Sequence, residues 1–383
     1  MAATLIAGDQ STGNINSSQR VVDMDNVLHQ LEPNVAPLTV LTQKLKKRNA
    51  IGPKVEWLEH GRMPRFTTLS ASATSAATAL GVTADIFRVG DLVRITETGE
   101  AVVVSATAAG AVTATRGVGV VVSAASTSAT SAAELFIVGN VNAEGASLRE
   151  IKTRKLDNLY NYCEINRNPT GLTGTDAATK QYGGVSRATL DAEAGVEHMR
   201  DWEGIALVGA RSETNGTGAQ PSRTAGGMTE FVTTNVTNIG GALSEALFQT
   251  FLQNGFRYGS DRKLLLCAPL VLGAIEGFAR SNIQVSPSSD RAETYGINMK
   301  TYTSGAGTVD IVQERWLADS VKYKGWAFLI DLDNVAFAEL RASKLLKDRQ
   351  ANDADKMEDE WLGEGCFVYT NELTHAIMKG VTG

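Results

Sequence analysis

Four histidines, three cysteines and a few neighbouring carboxylates are the residues of this chain best suited to chemistry, and their spacing argues against it. His29, His60, His198 and His375 stand singly, without the H-E-x-x-H spacing that sets two imidazoles on one helix face for zinc. Cys163, Cys267 and Cys366 lie far apart with no C-x-x-C pair, which reads as reduced, buried thiols of a cytosolic chain. No G-x-x-x-x-G-K-[ST] run is present, and Gly171-Leu-Thr-Gly174 lacks the strand-turn-helix setting of a dinucleotide loop, so its glycines read as turn residues supplying positive φ. Asp331 and Asp333 lack the glycine and terminal glutamate of a calcium loop and read as a strand-end turn in which Asp caps its own backbone. No nucleophile, base and orienting group fall together, so the expectation is no catalytic residue, no metal set, no cofactor and no enzyme.

Charge narrows the partners. The formal net charge of −6 excludes a chain held to nucleic acid as a whole by phosphate neutralisation. Lys44, Lys46, Lys47 and Arg48 form the one concentrated basic cluster. It suits the C-terminal dipole of a helix, then an acidic neighbour, and last DNA, because no aromatics are interleaved for stacking. Glu358, Asp359 and Glu360 read as a solvated acidic face.

The 383 residues, 43% hydrophobic and 20% charged, are enough for two or three globular units. The N-terminus has no basic start followed by an apolar run, and nowhere do eighteen apolar residues follow one another, so neither a signal peptide nor a membrane span is expected.

The elements that would position these residues follow from periodicity. Near the end of a polar arm, Pro37 fits a first helical position and Leu38, Leu41 and Leu45 fall at helical spacing, predicting a short helix that ends near Arg48. KVEWL (Lys54 to Leu58) reads as an outgoing strand, with its return near Ser147 to Thr153 or further on. Two near-twin tracts, SASATSAATAL (Ser70 to Leu80) and SAASTSATSAA (Ser123 to Ala133), bracket a Val-rich segment. Such runs are connectors unless pairing orders them as thin strands. Between them DLVRIT, EAVVVS, AVTATR and GVVVS, separated by Thr98-Gly99, Ala109-Gly110 and Gly117, predict hairpins of a small sandwich or barrel spliced into a host loop.

Ser186 to Arg211 is the best helix, with Ala192, Val196, Met199, Trp202, Ala206 and Gly209 on one stripe and Asp191, Glu197, Arg200 and Glu203 on the remainder. It would span about 35 Å at 1.5 Å per residue, with His198 half-exposed. Gly195 within it costs about 1 kcal/mol relative to Ala, which predicts close approach of another element. Beyond it, Leu243, Leu247 and Phe251 predict a helix stopped at Asn254-Gly255. KLLLC predicts a buried strand, and Pro269 opens a helix with Val271, Ile275 and Phe278 inward. MKTYT and TVDIVQ flank Ser304-Gly305-Ala306-Gly307 as a hairpin, GWAFLID and NVAFAEL add two strands, and CFVYT with HAIM close the chain as a pair beside the long helix.

NVAPLTVL with KVEWLEHGRMP, GDLVRITETGEAVVV with TATRG, YNYCEINRNPTGLTGT, HMRDWEGIALVGARSE, TAGGMTEFV and GWAFLIDLDNVAF follow one another in an order that resembles the major capsid proteins of tailed phages. The resemblance is to the Hong Kong 97-type shell fold, in the family whose extended loop carries a β insertion. It covers nearly the whole chain and rests on the order of the motifs.

What the resemblance implies is an α+β fold with an N-terminal arm (1–50), an extended β-hairpin loop (51–69 and 135–168) and a small all-β insertion domain (70–134). A peripheral domain (169–239 and 344–383) with its spine helix (186–211) and an axial domain (240–343) complete it. The function implied is self-assembly as hexamers and pentamers into an icosahedral shell around a double-stranded DNA genome. The chain's main partner is itself, with scaffold, portal and decoration proteins as further ones, weak and non-specific contact with packaged DNA, and no membrane. Its place is the virion, assembled in the bacterial host cytoplasm. The arm lacks the long cleavable helix of some relatives, which favours a separate scaffold or none. On this reading the 358–360 run would repel packaged DNA from the inner wall. Trp57, Arg62 and Arg65 of the outgoing loop would engage a neighbouring subunit, meeting acids such as Glu197 or Asp201, with Lys44, Lys46, Lys47 and Arg48 as a second contact. A nanocompartment shell of the same fold, enclosing an enzyme, and an adhesive or fibre protein bearing a β module are the alternatives.

Overall fold

The computed structural model describes residues 47–119, 129–179, 186–214, 220–279 and 300–382. The chain divides into two compact units, one formed by residues up to Trp57 with those from Leu159 onward, the other by Leu58–Asn158. It enters as β1 (Lys47–Asn49), a strand lying parallel to Phe337–Glu339 where periodicity predicts a last helical turn. Ladder hydrogen bonds to an existing sheet edge outweigh the weak local preference of three polar residues. The predicted helix body, with Lys44 and Lys46, lies outside the described residues. In β2 (Lys54–Glu59) alternation is plain: Val55 and Trp57 are buried while Lys54, Glu56 and Leu58 are exposed.

The second unit holds β3 (Phe66–Thr68), β4 (Ala79–Gly81), β5 (Asp91–Ile95), β6 (Ala101–Ala108), β7 (Ala111–Thr115) and β8 (Glu134–Asn140). They pair in the order β3-β8-β5-β6-β7-β4. The two ends of that order meet. Leu69 bridges Val82, Ser70 N–H donates to the Gly81 carbonyl at 3.0 Å, and Thr83 N–H donates to that of Thr68 at 3.0 Å. The sheet therefore curls into a small barrel, which leaves no free edge between these strands. The twin tracts pair with one another: Ala73 and Ala129 exchange both backbone hydrogen bonds at 2.9 Å and are buried. Small side chains suit this crossing because the strands run over a core of Leu69, Leu80, Phe87, Val93, Ile95 and Leu135. Gly99 and Gly110 take φ of 71° and 72° in the hairpin turns, where a side chain would be strained. GVVVS lies outside the described residues beyond Gly119.

No strand forms over Ser147 to Thr153; the return strand is β9 (Asp157–Tyr162), which pairs with β2. The main unit continues with β10 (Glu164–Thr173), the short α1 (Gly174–Ala178), the spine helix α2 (Arg187–Val208), β11 (Ser212–Thr214), β12 (Ser222–Thr224) and α3 (Met228–Phe231). Next come β13 (Val236–Gly241), α4 (Glu245–Gly255), β14 (Arg262–Cys267), α5 (Pro269–Ala279), β15 (Lys300–Ser304) and β16 (Gly307–Gln313). It closes with β17 (Ala327–Ile330), β18 (Val335–Leu346), β19 (Lys356–Tyr369) and β20 (Ala376–Val381).

Two sheets organise these elements. One runs β1-β18-β19-β10 and the other β13-β20-β17-β14-β16-β15. The residues CFVYT and HAIM therefore fall in different sheets instead of forming a closing pair, because β19 takes β18 and β10 as neighbours while β20 takes β13 and β17. β14 is buried along Lys263–Cys267 and lies between β16 and β17. In α4 the buried face is Phe248, Phe251 and Leu252; Leu247 is 41% exposed and Leu243 precedes the N-cap Ser244. Val271 and Ile275 of α5 are fully buried, and the side chain of Phe278 lies outside the described residues. Gly171, read as a turn residue, sits within β10 opposite Glu358, and Gly174 opens α1; neither has positive φ. The α+β class holds: helices and strands of the main unit share a large core from Trp202 to Val381, and Val55, Trp57, Cys163, Ala225, Ala338, Cys366 and Val368 form a second, smaller one.

Candidate functional site

The spine helix is where sequence and structure differ most. Its N-cap is Ser186, whose side chain accepts from Thr189 N–H. Its buried residues are Asp191, Ala194, His198, Trp202, Glu203, Ala206 and Leu207, so the inward face is turned from the predicted stripe. Ala192 and Val196 are exposed, while Asp191 and Glu203, expected outside, are in. The reason is a polar seam between this helix and β10 and β19.

His198, expected half-exposed, is fully buried at the centre of that seam. Trp202 Nε1–H donates to His198 Nε2 at 3.0 Å, which makes Nε2 an acceptor and leaves the proton on Nδ1, 2.8 Å from Asn168 Oδ1. Asn168 Nδ2 in turn donates to Asp201 Oδ2 at 2.8 Å. Burial holds the imidazole below its ordinary pKa and so keeps it neutral. Along the same helix Trp361 Nε1–H donates to the Asp191 carbonyl at 2.8 Å, and a Cβ added at Gly195 would lie 3.2 Å from the Trp361 ring. The close approach predicted at Gly195 is that indole.

The acidic run of β19 is a structural seam as well. Asp359 and Glu360 are buried, against the expectation of a solvated face. Arg187 at the start of the spine helix donates to both Asp359 oxygens at 2.5 Å, and its hydrogen bonds hold that carboxyl below the usual range. Glu360 pairs with Arg167, and Arg349 lies 3.7 Å away. Strand pairing of β19 with both β10 and β18 fixes these acids inside. Neutralised in this way, they have little charge left to repel anything.

At the other end of the helix, TAGGMTEFV is explained by backbone crowding. Gly227 N–H donates to the Gly209 carbonyl at 2.8 Å, and a Cβ at Gly227 would lie 2.5 Å from Gly209 N. Asn161 of β9 is buried there, donating to the carbonyls of Gly226 at 3.0 Å and Phe367 at 2.8 Å and accepting from Gly226 N–H at 2.8 Å. Arg211 covers the Tyr160 ring at 4.2 Å and donates to the Tyr160 carbonyl at 2.5 Å. β9 is thus anchored where it re-enters the main unit.

Asp331 and Asp333 form the strand-end turn that their spacing predicts: Asp331 caps Asp333 N–H at 3.1 Å and accepts from Ser260. Among the described residues no group of three or more His, Cys, Asp and Glu side chains could hold a metal ion, and no helix is long and apolar enough to cross a membrane.

Within the second unit, residues 142–156 carry no regular strand and are strapped to the barrel by their cations. Arg149 donates to Asp91 at 2.5 Å, Lys152 Nζ to the Phe87 carbonyl at 2.5 Å and Arg154 to the Arg62 carbonyl at 2.9 Å, while Arg88 reaches the Lys152 carbonyl at 3.2 Å. A cleft of about 630 Å³ lies along this strap, lined on one side by Arg62, Met63, Pro64 and Arg65. Arg62 and Arg65 are exposed, as are Leu148 at 97% and Ile151 at 83%. Exposed aliphatic side chains on the strap and exposed guanidiniums on the outgoing loop are groups suited to a protein partner. The signal in the sequence was ASLREIKTRK, whose Leu148 and Ile151 read as part of a return strand.

Of the other candidate residues, Trp57 is not at such a surface. It is 8% exposed and packs on Phe231 with ring centroids 5.7 Å apart, because β2 alternation turns it into its own unit's core. Lys47 is exposed and 3.4 Å from Glu339, and Arg48 is exposed next to it. Both extend from a strand, not from a helix end. Glu197 and Asp201 are exposed on the spine helix, Asp201 being already engaged by Asn168.

A family model described as SU10 major capsid protein matches residues 7–382. No curated protein matches the chain. Among solved structures, the capsid of a native GTA particle is similar over 98% of this chain and 99% of its own, at 9% identity and a TM-score of 0.49. A Gordonia phage Cozz chain is similar over 100% of both, at 11% identity and TM-score 0.48. The holo-SrpI encapsulin complex from Synechococcus elongatus PCC 7942 is similar over 59% of this chain and 78% of its own, at 8% identity and TM-score 0.36.

Proposed function

The chain belongs to the SU10 major capsid protein family, and on that premise we propose that it is the shell subunit of a tailed bacteriophage, assembling as hexamers and pentamers around double-stranded DNA. A capsid protein is a structural component of the virion that associates with copies of itself; it is not an enzyme. The observation that carries the proposal is the extent of the family match, which runs from residue 7 to residue 382 and takes in the arm, the barrel and the four- and six-stranded sheets of the main unit.

The chemistry of such a subunit is association. Rings of identical copies need head-to-tail contacts in which one surface meets a different one, and many weak contacts acting together give avidity without strong ones. The strap with Arg62, Arg65, Leu148 and Ile151 supplies cationic and apolar groups for one side of that contact. Exposed acids such as Glu197 suit the other. Lys47 and Arg48 are a second basic contact, and Trp57 acts only through the core. Assembly in the host cytoplasm, and scaffold, portal or decoration partners, belong to the same proposal. An icosahedral shell built this way touches its packaged DNA only weakly.

Electron microscopy tests it: the purified chain should close into icosahedral particles and particles isolated from their host should contain double-stranded DNA, whereas isolated particles filled with an enzyme in place of nucleic acid would overturn it. Reversing Arg62 and Arg65 to Glu should leave a folded subunit, judged by circular dichroism, and impair closed shells. Unimpaired shells would remove Arg62 and Arg65 from the interface.

A further inference from the structure

Two of the three thiols stand together. Cys163 lies between β9 and β10, and continuing the antiparallel register of Glu164 with Gly365 by one residue sets it opposite Cys366 of β19. Their sulfurs are 3.9 Å apart, and the two residues are 1% and 0% exposed. Residues directly opposite on antiparallel strands have Cα atoms roughly 4.5–5.5 Å apart, inside the roughly 4.4–6.8 Å that disulfides span. Torsion of the side chains, without backbone movement, can therefore bring the sulfurs to the bonding distance of about 2.05 Å.

We propose that Cys163 and Cys366 are a cross-linking site, a reduced dithiol that a peroxide converts to an intramolecular disulfide. The surroundings assign the order of events. Cys163 sits under a thin cover: Gly52 places its carbonyl 3.8 Å from the sulfur, the Pro53 carbonyl accepts Cys163 N–H at 2.7 Å, and the neighbouring Ile51 is fully exposed. Local opening of that exposed linker admits a molecule the size of hydrogen peroxide. Cys366 is the deeper of the two, fully buried within β19, and its pKa is raised by the contact with Cys163 and by burial. Cys163 is thus the attacking sulfur. Its thiolate displaces one oxygen of the peroxide as hydroxide, which takes a proton to leave as water, and becomes the sulfenic acid. The Cys366 sulfur then forms the S–S bond, its proton leaving with the sulfenic oxygen as a second water. Two thiols lose two electrons, and one peroxide gains them.

The bond would close a loop of 203 residues at the place where β9 re-enters the main unit and where the linker from β1 to β2 passes over it. Restricting so long a loop in the unfolded chain raises stability. Thiols stay reduced inside a cell and oxidise outside it, so the link would form after assembly and not interfere with it. Cys267 is an internal control: it is buried in β14, in the other core cluster, with its sulfur 3.8 Å from the Val312 carbonyl.

The test uses the full-length chain, exposed to hydrogen peroxide or kept in dithiothreitol, then unfolded in the presence of an alkylating agent. Alkylated thiols should fall from three to one and the Cys163 and Cys366 peptides should appear linked. The chain should remain a monomer on a non-reducing gel, and its thermal midpoint should rise by several degrees and return on reduction. In Cys366→Ser, Cys163 should accumulate as a sulfenic acid that dimedone traps. Three thiols alkylated after peroxide, a link through Cys267 or between chains, or oxidation of the pair to sulfinic acid without a link would each overturn the proposal.

Discussion

The barrel and the main unit bury different kinds of side chain. The barrel core is Leu, Val, Ile and Ala around one Phe, with a buried ion pair, Arg116 to Glu100 at 2.5 Å, at its wall. The main unit buries Trp202, Phe248, Phe251, Phe328, Phe337, Phe367 and Tyr369 together with His198, Glu203, Lys263, Glu314 and His375. Lys263 spends its three N–H bonds on the carbonyls of Gly255, Tyr258 and Thr374 at 2.7, 2.7 and 2.6 Å. Burial beside Glu203 pushes the Glu314 carboxyl up to about 11, so it stays protonated. An aliphatic core specifies a compact module by alternation and tolerates repacking. A core threaded by hydrogen-bonded polar groups such as Lys263 and His198 specifies one arrangement of elements, because any shift leaves a buried donor or acceptor unpaired.

Breaking one buried contact in each unit should separate the two. Trp202→Ala removes the indole that both fills the core and donates to His198, and should cost about 3–5 kcal/mol in chemical denaturation of the full chain. Glu100→Ala should also cost about 3–5 kcal/mol, since it leaves Arg116 buried and unpaired, but hydrogen exchange should place that loss in 58–158 alone. Loss of protection spreading to the main unit would show that the barrel is not an independent folding unit.

Acid should distinguish the units next. His375 is buried, its Nδ1 accepts Asp331 N–H at 3.2 Å, and burial lowers its pKa to about 4. The unfolded chain takes up this proton below about 6.5 and the folded one only below about 4, so stability falls as pH drops through that window, by about 3 kcal/mol. His198, lowered in the same direction, adds to the loss. The described histidine of the barrel unit, His60, is exposed. Hydrogen exchange at pH 7 and pH 5 should therefore show the main unit weakening first, and equal weakening of both units would refute the assignment.

The smallest effects test the helix face. Gly195→Val should destabilise by about 1–3 kcal/mol through the Trp361 ring. Gly204→Ala, which meets nothing within 4 Å, should stabilise by about 0.5–1 kcal/mol, both read from thermal midpoints. The reverse ranking would mean that the face is wrongly assigned.

Local pattern alone determined the barrel's hairpins, the KLLLC strand, the bounds of the spine helix and the turn at Asp331, because alternation, caps and turn residues act over a few neighbours. The order of motifs likewise determined the family. Tertiary structure decided which face of the spine helix is buried, that Lys47–Asn49 is a strand, that Asp359 and Glu360 are inside, and that Cys163 meets Cys366. Each of these depends on a partner far away in the chain, 172 residues for Arg187 with Asp359 and 203 for the two thiols. A polar residue is legible as buried only once the group that satisfies it is known, and hydrophobic periodicity carries no record of that group.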